Sequence, residues 1–319
     1  MRQRQGQSIL LALLACIAIP ISPAARADQK LLSLVPPGAQ AVARISSPSP
    51  SAIVGHYVLT SRNNGIDFND FLALTGADST LVVDELIHVA TADSAGMLNE
   101  HSLLARGNFD RECIYRSALS GGASVTRYRG LPVLVVQPFA RERSEFNEVR
   151  WLAIPESSIL LFGSIASVQQ ELDRHLDRSP VDPRLVARLA RLRRDDDSWC
   201  VLSLLTWTPD IRDSLAALNP KLAEVLKDGD TLQFGTHYGR QIEFEYEITT
   251  ASTEATRSIS DSPSQSLSGL GKEIALLRFT DAITEGNTVR GVIKVSMARY
   301  NAWLTEILAR KRERNAATP

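Results

Sequence analysis

Cysteine is scarce in this chain, aromatic side chains are few, and the charges almost cancel. Three cysteines among 319 residues are too few for a disulfide scaffold, and no C-x-x-C pair is present. The net charge of −1 supplies no overall positive field to recruit nucleic acid. The five histidines, His56, His88, His101, His175 and His237, do not fall at zinc-ligand spacing with one another or with a cysteine or acid. No glycine-lysine phosphate loop and no G-x-S-x-G nucleophile elbow occurs. The apolar run at 9–21 covers about 13 residues, short of the roughly 20 that span a bilayer.

That run has a specific setting. Arg2 and Arg4 precede it, and Ala25-Arg26-Ala27 follows as a small-x-small cleavage site. Residues 1–27 therefore read as a signal peptide, with mature chain from Asp28. Leu13-Leu14-Ala15-Cys16 loosely resembles a lipobox, so a lipid anchor on Cys16 and an uncleaved N-terminal anchor stand as alternatives. Removing Arg2, Arg4 and Arg26 leaves 32 basic against 36 acidic residues, a net charge of −4. Cys113 and Cys200 remain. Export makes a disulfide between them chemically possible, and two buried free thiols are the simpler expectation.

The rest of the chain alternates short strands with helices. Strands are expected at 40–46, 84–92 and 101–109. Asp110 caps a helix to about Ser120. Two hairpins follow, one turning at Arg129-Gly130 and the other at Glu156-Ser157. A helix runs to about Asp177, and a second opens at Asp182-Pro183, a cap followed by proline. Strands resume at 199–206, 231–238 and 241–249. A hairpin across 285–287 leads into a final basic helix. Further helices are expected near 53–58, 67–76 and 213–226, and residues 28–38 read as a lead-in. The order is similar in both halves. Shifted by 132 residues, Ser164 falls on Ser296, Val168 on Tyr300, Leu172 on Leu304 and Leu176 on Leu308.

The expected fold class is α+β: two similar units, each a mostly antiparallel sheet with helices packed on one face. Residues 28–197 form the first unit, including a linking helix at 182–194, and 198–319 form the second. "SLLARGNFD", "YRGLPVLVV" and "LAIPESSILLFGSIASVQQELD" together resemble large exported bacterial proteins of unknown function, built from repeated α+β units. The resemblance covers residues 31–200 and the second half in outline. It implies an exported protein and supplies no catalytic residues. Asn108 departs from the pattern, which carries a charged residue there.

Ser164 is the sharpest local question, since strand, glycine, serine, helix presents nucleophiles and phosphates as well as caps. The elbow glycines and phosphate-loop lysine are missing. His175 lies about 16 Å along the same helix. Ser164 is read as a helix N-cap, with Ser167 and Gln170 offering a neighbouring capping-box register. Asp195-Asp196-Asp197 lacks the calcium-loop pattern and reads as a solvated turn, as does 67–70. Arg184, Arg188 and Arg191 read as a solvated basic helix face. Glu243, Glu245 and Glu247 read as the solvated face of a half-buried strand. No catalytic, cofactor-binding or metal-ligating residue is assigned. The expected function is a non-enzymatic binding protein of the cell envelope, with an unknown protein or envelope partner. A hydrolase with a dispersed site and a membrane-attached interaction module are the alternatives.

Overall fold

A computed structural model describes residues 29–46, 82–92, 100–137, 149–192, 196–205, 229–238, 241–254, 256, 278–279, 283–296 and 298. The expected helices near 53–58, 67–76 and 213–226, and all of the final helix beyond Ala298, lie outside them, as do His56 and Asp195. The described chain runs α1 (Gln29–Leu34), β1 (Ala41–Ser46), β2 (Val82–Thr91), β3 (Glu100–Asn108), α2 (Arg111–Ser120), β4 (Ser124–Tyr128), β5 (Leu131–Val136), β6 (Arg150–Glu156), β7 (Ile159–Ser164), α3 (Ile165–Leu176), α4 (Pro183–Leu189), β8 (Ser198–Ser203), β9 (Gly229–Tyr238), β10 (Gln241–Thr250), β11 (Arg278–Phe279), β12 (Ile283–Glu285) and β13 (Thr288–Ser296). The fold is mostly antiparallel sheet with few helices.

The described strands make one sheet of 13, in the order β11-β13-β10-β9-β8-β1-β2-β3-β7-β6-β5-β4, with β12 paired to β13. Both halves are joined at β1 and β8, from Ala41 opposite Leu202 to Ile45 opposite Ser198. The expectation of a separate sheet for each unit is corrected here. Backbone donors and acceptors along β1 and β8 find their partners in each other, so neither half ends in an open edge at the join.

Successive strand residues point to opposite sheet faces. Leu86, Leu103, Leu134, Leu152 and Phe162 pack with Ile114 and Ala118 of α2 on one face. Their neighbours Ile87, Leu104, Val133, Trp151 and Leu161 pack on the other with Leu31 and Leu34 of α1, Val168 and Leu172 of α3, and Leu185 of α4. The helices thus cover both faces, not one. β7 is the extreme case: every residue from Ile159 to Ser164 is buried. A strand covered on both sides reads as a continuous apolar run and carries no alternation to reveal it.

A bulge in β2 sets the faces at its start. Val83 pairs with Gly107 and Glu85 with Arg106, leaving Asp84 as the extra, exposed residue. Val83 and Leu86 therefore share the α2 face. α1 falls within the expected lead-in at 28–38; six residues are too short for a periodic signal, and its stability comes from burying Leu31, Leu32 and Leu34.

Leu161→Ala removes a side chain that is 0% exposed, whereas Val186→Ala trims one that is 48% exposed. The first change should cost about 2–5 kcal/mol and the second less than about 0.5 kcal/mol in urea unfolding. Equal costs would contradict the double-sided burial of β7.

Candidate functional site

The corner between β7 and α3 is built by two small residues. Ser164 has extended backbone geometry and its Oγ accepts from the Ser167 N–H at 3.2 Å. The same hydroxyl donates to Ser167 Oγ at 3.0 Å. Ser164 is therefore the N-cap that the sequence indicated. Gly163 has a separate job. A Cβ there would lie 2.4 Å from the His101 carbonyl oxygen and 2.7 Å from Ser102 Cα, so only glycine lets β7 lie this close to β3.

Under the same corner sits a carboxyl group that the sequence reading passed over. Glu171 of α3 is 0% exposed, and Ser102 Oγ donates to its Oε1. Its Oε2 is buried with no hydrogen-bond partner among the described residues. Burial pushes the Glu171 pKa well above the ordinary carboxylate range, and the Ser102 hydrogen bond opposes this in part. The signal was present: Glu171 falls on the buried stripe of Val168 and Leu172.

A second buried polar group lies beside the β1–β8 join. Arg44 is 2% exposed, and its Nε donates to Glu85 Oε1 at 2.6 Å. Arg106 Nε stands 3.5 Å from Glu85 Oε2. All three occupy the face of Val42, Ile87 and Leu104, so these charges sit within apolar positions of three adjacent strands. Across the join, Trp199 lies opposite both Arg44 and Gly235. A Cβ on Gly235 would lie 1.9 Å from Asp196 Oδ2; the glycine leaves room for that carboxylate. Asp197 Oδ2 is 3.7 Å from His237 Nδ1. Asp196 and Asp197 are buried, which corrects the expectation of a solvated turn.

The second half carries a third polar group. Glu243, Glu245 and Glu247 do share one face of β10, but that face is not simply solvated. Glu247 is buried and accepts from Arg290 Nε at 2.5 Å, Arg191 Nη1 at 2.7 Å and Gln233 Nε2 at 3.1 Å. Lys294 Nζ donates to Glu243 at 2.8 Å. Arg191, expected on a solvated basic face, is half-exposed and also ties the linking segment to β10. This exposed-to-buried pairing fixes position more than it adds stability.

The tertiary fold also brings two histidines together. His88 of β2 and His101 of β3 stack with ring centroids 5.4 Å apart. Antiparallel register places them diagonally, His88 opposite Leu103 and His101 opposite Ala90. Sequence spacing hides such a pair, because it depends on where the loop between the strands turns. Burial pushes the His88 imidazole down to about 4, so it is neutral in the folded chain at neutral pH. His175 of α3 stands 3.7 Å from Glu156 at the end of β6. Cys113 is exposed and Cys200 buried, both as free thiols, so only Cys200 fits the expected buried pair.

Among the described residues, no three His, Cys, Asp or Glu side chains form a group able to hold a metal ion. No described helix is long and apolar enough to cross a membrane. These groups form a helix cap, a buried acid and ion pairs between neighbouring strands. No family model, curated protein or solved structure matches this chain.

Glu85→Gln leaves Arg44 and Arg106 beside a neutral amide in a buried site. It should cost about 3–5 kcal/mol in denaturant unfolding; a loss under about 1 kcal/mol would place the cluster in solvent. His88 gives a pH prediction. The unfolded imidazole takes up its proton near pH 6.5, ahead of the folded one. Its stabilising contribution is complete above that pH and is lost as pH falls toward about 4. Thermal melts from pH 7 to pH 4 should therefore fall less steeply for His88→Phe, by up to about 3 kcal/mol at the acid end.

Proposed function

We propose that this chain is an exported, non-enzymatic protein of the cell envelope that works by binding a partner through its sheet. The N-terminal segment at 1–27 supports export. The way the polar residues are used supports binding over chemistry: Ser164 caps a helix, and Glu85 and Glu247 hold arginines. The observation that carries the binding reading is the exposed end of the sheet. Among the described residues β4 pairs with β5 alone, and Ser124, Val125 and Arg127 are exposed. A strand edge offers a row of backbone donors and acceptors to an incoming chain.

The strand order supports reading the chain as two related units joined at β1 and β8. Outward from that join lie β2, β3 and β7 on one side, and β9, β10 and β13 on the other. β7 ends at Ser164 and is followed by α3, while β13 ends at Ser296 with Ala298 helical. Residues 28–197 and 198–319 are the two units, and the pairing of β1 with β8 makes their sheets one platform.

Fractionation of the native host tests this reading. The mature chain should begin at Asp28 and appear in the soluble exported fraction, with Cys16→Ser behaving identically. A photo-crosslinking residue at Val125 should form a discrete adduct there, while one at Val186 on α4 should not. Retention of the full-length chain in the cytoplasm, or equal crosslinking from both positions, would overturn the proposal.

A further inference from the structure

The β4 edge has a built-in register for one partner. Arg129 and Gly130 both have positive φ, at 46° and 87°, the signature of a two-residue type I′ turn. Such a turn closes on a hydrogen-bonded pair, here Tyr128 with Leu131. Alternation along the ladder then gives the bonds to β5 to Ser124, Thr126 and Tyr128. The N–H and C=O groups of Val125 and Arg127 point outward. Pro132 agrees with this phase: it sits opposite Arg127, where no ladder N–H toward β4 is needed, and its carbonyl accepts from Tyr115 Oη at 2.8 Å.

The edge is also held in place. Tyr128 Oη donates to Asp173 at 2.9 Å, and Arg129 donates to Asp173 and Asp177 at 2.9 Å each, so the turn is tied to α3. Those pairs neutralise Arg129. Val125 is 49% exposed and Leu119, at the end of α2, is 45% exposed. Val125 lies opposite Leu134, which packs against α2, so both apolar side chains stand on one side of the sheet.

We infer that β4 is a self-association edge, pairing antiparallel with β4 of a second copy about a two-fold axis at Thr126. Val125 then lies opposite Arg127 of the other copy, and Arg127 opposite its Val125. All four outward-pointing residues exchange backbone bonds, four in total. Shifting by one pair, so that Arg127 faces Arg127, loses bonds and opposes like charges. In the two-fold register each Arg127 stem covers a Val125, and the α2 helices of both copies lie on the same face of the joined sheet. The contact is isologous and closed. A five-residue edge buries less than the roughly 1,200 Å² of a stable complex, so the dimer is concentration-dependent. This inference rests on the binding reading only in assigning the sheet edge its occupant. It is tested on purified protein, so failure of export and failure of self-association are separately visible.

Sedimentation of the purified mature chain should show average mass rising with concentration toward twice the monomer. Val125→Lys, which sets lysine opposite Arg127, should hold the chain monomeric with unchanged circular dichroism. Val125→Glu should instead tighten association at low salt by about two- to thirty-fold, the effect of two cross-strand ion pairs, and lose the gain at high salt. Thr126→Cys in a Cys113→Ser background should form a disulfide-linked dimer on oxidation, because residues facing at the axis have Cα atoms about 4.5 Å apart. Ser124→Cys in that background should not. A monomer at every concentration overturns the inference, with the edge left to a different chain. Equal weakening by Val125→Lys and Val125→Glu, or a dimer untouched by both, overturns it as well.

Discussion

The antiparallel ladder between β1 and β8 is the constraint on which the rest of the structure depends. Its five residue pairs join strands 150 and more positions apart and turn two stretches of chain into one sheet. Once that sheet is continuous, two faces need cover and two outer ends need closing. α2 covers one face of the first half, and α1, α3 and α4 cover the other. Sheet continuity also explains the charge beside the join. Arg44 extends from β1 into the same layer as Glu85 and Arg106, and Asp196 and Asp197 enter β8 just before its first paired residue.

These charges act as position markers. A buried ion pair gains little over a well-packed apolar pair, but it strongly penalises any arrangement that separates its members. A one-residue slip between β1 and β2 would turn Arg44 to the α2 face and leave Glu85 without it. Glu247 plays the same part farther out, where Arg290 and Gln233 reach it from the flanking strands and Arg191 from the linking segment. Gly163 and Gly235 work from the other direction. Each vacates the space of a side chain so that a neighbouring strand or carboxylate can close in. The two outer ends of the described sheet differ from this interior. β4 is short, held by its turn to α3, and open along its outer side among the described residues.

The amino-acid sequence by itself determined most of the local elements. Asp110, Ser164 and Asp182 mark helix starts because their side-chain oxygens satisfy first-turn N–H groups, a requirement met within a few residues. Arg129-Gly130 marks its hairpin because the turn needs two positive φ angles. Only the tertiary structure decided which elements meet. The pairing of β1 with β8, the cover on both faces, the stacked His88 and His101, the Ser102–Glu171 contact and the burial of Asp196 and Asp197 all join residues distant along the chain. Glu85, Arg44 and Glu171 each occupied an apolar position of a periodic pattern, and that was the trace they left. Their partners were invisible because pairing across strands is fixed by register, and register emerges only when both faces of the sheet are packed at once.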